Sequence, residues 1–130
     1  MLEIRNVSAF YGRVEAVRAL DMDVLQGSIT AIIGANGAGK STLLRAISGL
    51  IPTRYGTISY YGTDITGTRP DRIVGLGISH VPEGRQVFGP LSVLENLKLG
   101  AFRRMSLRRP SALDDDLAAV YELFPVLAER

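Results

Sequence analysis

The chain has 130 residues, of which 46% are apolar and 22% charged, with a formal net charge of +2 and no cysteine. That length holds one ordinary domain at most, and the apolar share suits a packed core, which argues against a disordered chain. The small charge makes no case for nucleic acid, the missing thiols exclude disulfides and cysteine zinc sites, and no window approaches the ~18 unbroken apolar residues of a membrane span.

The opening "MLEIRNVSAF" has no apolar run of signal-peptide length. Instead "LEIRNVSAFY" alternates at the strand period, which predicts Leu2, Ile4 and Val7 facing a core. "VRALDMDVL" alternates again, with Val17, Ala19, Asp21 and Asp23 on one side and Leu20, Met22 and Val24 on the other. After the turn "QGS", the run "ITAII" (29–33) is continuous and β-branched, the pattern of a central strand covered on both faces. Leu43, Leu44, Ile47 and Leu50 then recur at the spacing of a helix with one buried side, stopped by Gly49 and Pro52.

"GTISYYGTDITG" reads as a hairpin about Gly62-Thr63. "PDRIVGLG" is a short helix opened by Pro70, and "ISHV" (78–81) is a second short buried strand with His80 in a structural role. Beyond Gly89-Pro90 the pattern turns helical. "LSVLENLKLG" is one helix, and "SALDDDLAAVYELF" another, with Leu113, Leu117, Tyr121 and Phe124 along one face. Ser111 is placed to cap it, and Asp114, Asp115 and Asp116 suit the positive end of its dipole. The organisation is mixed α/β over 1–89 and helical over 90–130.

Between the run "ITAII" and the first helix stands "GANGAGKS", residues 34–41, a complete G-x-x-x-x-G-K-[ST] loop. Its glycines allow a tight backbone whose N–H groups converge on phosphate oxygens, and the helix start adds the positive end of a dipole. Gly34, Ala35, Asn36, Gly37, Ala38 and Gly39 form that cradle. Lys40 reaches toward the β- and γ-phosphates, Ser41 offers a hydroxyl to Mg²⁺, and Thr42 continues the turn toward the α-phosphate. The loop reads as a nucleoside-triphosphate site.

With "AFYGRVEAVRALDMDV" before it and "GTISYYGTDIT" after it, the chain resembles the start of an ABC-transporter ATP-binding domain, over essentially its whole length. The fold implied is a truncated α/β P-loop NTPase: an antiparallel β subdomain, the P-loop strand and helix, and the start of a helical subdomain. The resemblance implies ATP and Mg²⁺ as cofactors and assigns Tyr11 to stacking on the adenine, a job suited to a flat amphipathic ring. "VPEGRQVFGPLSVLENLKLG" and "VYELFPVLAER" resemble the ATP-binding subunits of branched-chain amino acid importers. There Glu83 takes the position that contacts Mg²⁺ and the attacking water, where most of the family has glutamine; Gln86 is the alternative. Lys40 and Glu83 are thus the catalytic candidates, and Ser41 and Glu83 the metal candidates.

The same resemblance implies that transmembrane permease subunits dock on the 83–95 region, near Phe88, and that a second ATP-binding subunit closes head to tail. It implies a cytoplasmic chain, peripheral on the cytoplasmic face of the membrane. Arg103, Arg104, Arg108 and Arg109 read as a solvated helix connection rather than a nucleic-acid site. No signature "LSGGQ", no apolar strand ending in Asp-Glu and no later switch histidine follow, so the expectation is a fragment that does not hydrolyse ATP alone. It also leaves "ITAII" without neighbouring strands. Two other readings stand beside the importer: a non-transport ABC protein, and a nucleotide-binding module without catalysis. The chain carries no N-K-x-D motif that would favour a GTPase.

Overall fold

A computed structural model describes residues 1–84, 86–103 and 111–129. They form two compact units, 1–81 and 82–130, each treated by itself.

The first unit is built on β1 (Leu2–Tyr11), β2 (Val14–Val24), β3 (Thr53–Tyr60) and β4 (Thr63–Asp64), antiparallel in the order β2-β1-β3-β4. Ile4 and Val7 are fully buried, as the alternation predicts, although they differ by an odd number of positions. A bulge resolves this. Asn6 has φ 50° and Ala19 has φ 44°, and the register slips by one residue beside each. Every slip moves side chains to the other face, so the inward set changes from Leu2 and Ile4 to Val7 and Ala9. The freed amides find side chains: Asn6 N–H donates to Asp21 Oδ1 at 2.9 Å, and Ala19 N–H to Ser8 Oγ at 2.9 Å.

Helix α1 (Lys40–Ile47) lays Leu43, Ala46 and Ile47 into a core with Ile4, Val7 and Ile58. Leu44 and Leu50, expected on the buried side, are 44% and 56% exposed. The buried stripe is Thr42, Leu43, Ala46 and Ile47, one i, i+3, i+4 face that Leu44 misses; Leu50 lies past the end of the helix. Helix α2 (Pro70–Gly75) starts on its proline as expected and buries Ile73. The β3–β4 turn falls at Tyr61-Gly62, both at positive φ, one residue earlier than the sequence suggests.

Two expected strands do not form. Residues 29–33 and 78–81 carry no regular structure; Ile29, Ile33 and Val81 are 101%, 94% and 90% exposed. A buried parallel strand exists only between partners, and among the described residues no strand pairs with either run. A groove of about 310 Å³ opens there instead, lined by Leu2, Met22, Ile32, Leu44, Ile78 and Val81 among others. His80, off any strand, is half-buried; its Nδ1 lies 3.1 Å from Ser48 Oγ, whose hydroxyl donates to Leu44 O at 2.7 Å. That ties 78–81 to the end of α1, a structural role.

The second unit holds α3 (Val93–Gly100), α4 (Ser111–Leu123) and a 3₁₀ turn at Pro125–Leu127. Leu113, Leu117 and Tyr121 are half-buried, but Phe124 follows the helix and is exposed. The capping role expected of the Ser111 side chain, and the basic positions Arg104, Arg108 and Arg109, lie outside the described residues. Ser92 and Glu95 close a reciprocal capping box on α3. Asn96 braces the preceding loop: its Nδ2 donates to the carbonyls of Phe88, Leu91 and Ser92, and its Oδ1 accepts from Phe88 N–H.

Candidate phosphate-binding site

Residues 34–39 form a turn, exposed over 34–38, that enters α1 without any side-chain cap. Gly39 occupies the N-cap position at φ 88°, and a Cβ there would stand 2.2 Å from the Ala16 carbonyl oxygen of β2. Both backbone angle and space therefore demand glycine. Gly37 has φ 85° with open space around it, so only the angle selects glycine there. Ala38 N–H bonds Ala35 O at 3.1 Å and closes the turn, while the first α1 bond to a loop carbonyl runs from Leu43 N–H to Gly39 O at 2.8 Å. The N–H groups of a helix's first turn lack carbonyls behind them and face outward, where an anion can accept from them.

Lys40 supplies the charge. Its Nζ donates to the carbonyls of Gly34 and Ala35, both at 2.8 Å, so the ammonium folds back over the loop it belongs to. A phosphate offers that ammonium stronger, charge-assisted partners than two carbonyls. Ser41 is exposed beside it, whereas Thr42 is only 7% exposed and faces the core. Asn36 is exposed at the tip.

Tyr11, at the end of β1, is 43% exposed, and its hydroxyl accepts from Arg45 Nη1 in the last turn of α1. Arg54 of β3 donates to Gly12 O at 3.0 Å and stacks its guanidinium 4.8 Å from the Phe10 ring centroid. The structure thus links the aromatic position to the P-loop helix. Sequence reading singles out Tyr11 and misses both arginines, because neither belongs to a local motif; their partners lie 34 and 42 positions away. Glu83 and Gln86 belong to the second unit, where both are exposed in the loop before α3. Among the described residues no group of three or more acidic or histidine side chains is arranged to hold a metal by itself. At the loop Ser41 alone offers a metal an oxygen, while the Lys40 ammonium suits phosphate; one hydroxyl fits a metal shared with a polyphosphate rather than one caged by protein.

The family model for ABC transporters matches residues 17–128. The high-affinity branched-chain amino acid transport ATP-binding protein BraG of Pseudomonas aeruginosa is 40% identical over all of this chain and 54% of its own length. The ribose import ATP-binding protein RbsA of Lactococcus lactis subsp. cremoris is 37% identical over 76% of this chain and 20% of its own. A nucleotide-free ATP-binding cassette from an ABC transporter superposes with a TM-score of 0.77 and 26% identity, over 94% of this chain and 53% of that one. The chain therefore spans about half the length of BraG. With the P-loop geometry and the match over 17–128 agreeing, this chain belongs to the ABC transporter family, in its ATP-binding domain.

Proposed function

We propose that the chain is the nucleotide-binding front part of an energy-coupling subunit of an ABC importer, and that ATP is its ligand. The observation that carries this reading is Lys40 poised on the Gly34 and Ala35 carbonyls beside the uncapped start of α1. The cradle amides and Lys40 hold the phosphates, Ser41 contributes a metal-facing hydroxyl, and Tyr11 offers a ring to the base. Mg²⁺, when bound, neutralises charge on the β- and γ-phosphates. Glu83 is proposed as a further Mg²⁺ ligand and water-orienting carboxylate, with Gln86 as its rival. Hydrolysis is assigned to the full-length protein. In that protein a second ATP-binding subunit packs head to tail, and permease subunits dock on residues 83–95 at the cytoplasmic face of the membrane. Phe88, 62% exposed in that loop, suits such a contact.

Branched-chain amino acids are the proposed cargo, supported by the 40% identity to BraG along the entire chain. Sugar import is the second reading, favoured by the 37% identity to the ribose protein. No residue of an ATP-binding part reads the cargo directly, so both rest on likeness.

Lys40→Ala tests the cradle. ATP affinity should fall about tenfold or more, because a charge-assisted contact is lost, with the circular dichroism spectrum unchanged. Unaltered affinity in that variant would overturn the assignment. For the metal, the gain in ATP affinity on adding Mg²⁺ should shrink in Glu83→Ala and persist in Gln86→Ala; the reverse pattern transfers the role to Gln86.

A further inference from the structure

Arg45 lies outside the phosphate-binding motif, yet its Nη1 donates to the Tyr11 hydroxyl. Its guanidinium carbon stands 6.0 Å from the Tyr11 ring centroid. A group that both bonds the hydroxyl and stands that far from the centre lies off the oxygen end of the ring, not over its face. The contact therefore fixes the ring while leaving its face for a ligand. A second arginine steadies the backbone around it: Arg54 holds Gly12 O and packs on Phe10, the residues on either side of Tyr11.

We infer that Arg45 is a positioning residue for base recognition, holding Tyr11 at a set distance from the phosphate cradle; this rests on the ATP-binding reading above. The reason lies in α1. Lys40 begins that helix and Arg45 stands in its last turn, so one rigid element carries both the phosphate contact and the anchor of the aromatic ring. A tyrosine free to rotate loses its rotamer freedom when the base arrives, and that cost weakens binding. A tyrosine already tethered loses less. The device acts on the base end of the ligand alone, and inorganic tripolyphosphate does not report it.

The test measures the affinity of the 130-residue chain for ATP and for inorganic tripolyphosphate by calorimetry or competition, in parallel. Arg45→Met should weaken ATP about threefold to tenfold and leave tripolyphosphate unchanged. Arg45→Lys, which keeps a donor, should recover most of the loss. Tyr11→Phe keeps the ring but loses the acceptor, so it should match Arg45→Met, and combining the two should add nothing further. Equal weakening of both ligands, no weakening of either, or additive losses in the double variant would each overturn the inference while leaving the cradle intact. If the unaltered chain binds neither ligand, the cradle reading itself fails and this inference falls with it.

Discussion

Two parts of the first unit both read as strands in the sequence and have opposite fates. "LEIRNVSAFY" and "GTISYY" become strands whose Ile4 and Ile58 are 0% and 1% exposed. "ITAII" is richer in β-branched residues than either, yet Ile29 and Ile33 stand open to solvent. The difference is pairing. β1 has β2 on one edge and β3 on the other, so its amides and carbonyls are satisfied and its inward side chains meet α1. The 29–33 run has no such neighbours among the described residues, and β-propensity without partners forms nothing.

The largest expected effect breaks the paired side of this contrast. Ile4→Ala or Ile58→Ala empties a filled core and should cost about 2–5 kcal/mol of unfolding free energy in urea melts. Ile33→Ala should change stability by no more than about 0.5 kcal/mol. Comparable losses at Ile4 and Ile33 would mean that the 29–33 run is packed in solution. Next in size is Gly39→Ala, which forces a side chain onto the Ala16 carbonyl at a left-handed φ. It should destabilise by roughly 2 kcal/mol or more and abolish ATP binding, while Gly37→Ala, with the angle alone against it, should cost about 1–2 kcal/mol.

A gentler probe leaves the sequence alone. Amide hydrogen exchange should show β1, β2 and β3 protected, and residues 29–33 and 78–81 exchanging fast. Supplying a strand partner to those runs should slow them. Charged replacements Ile33→Lys and Val81→Lys should lower light scattering at high concentration without moving the melting curve, since they interrupt open apolar backbone.

A local effect belongs to a structure that needs no distant partner. The capping box on α3 is complete within Ser92–Glu95, and Ser92→Ala should cost about 1 kcal/mol of local stability. The Ser92 backbone amide, and after it the Ser92 hydroxyl, holds the Glu95 carboxyl below its ordinary value of 4.5. A depressed folded value means the stabilisation is fully present above that ordinary value and is lost as the pH falls through the lower folded one. Exchange protection at the start of α3 should follow that course on acidification, and Glu95→Gln should flatten it.

What the sequence discloses follows the same division. The glycine-rich turn into α1, the opening of α2 at Pro70 and the β3–β4 hairpin are written in adjacent residues, and each is present. The parity change at Asn6 and Ala19 is hidden, because its compensation comes from Ser8 and Asp21 on the opposite strand. The Ser92-x-x-Glu95 box was there to be found by spacing, as was an asparagine one turn into the helix that it caps. Arg45 and Arg54 were not, since a hydrogen bond across 34 or 42 positions leaves no local pattern. Runs 29–33 and 78–81 read as strands because composition records a preference for β structure, whereas a sheet also needs neighbours.

Gly39 has a consequence for heredity. Every single-base replacement reached from a glycine codon adds side-chain atoms, and the first of those atoms lands on a carbonyl 2.2 Å away. The position has no intermediate to pass through, so a library of random codons selected for nucleotide binding should return glycine alone at 39. At Gly37, where the space is open, asparagine should survive as well.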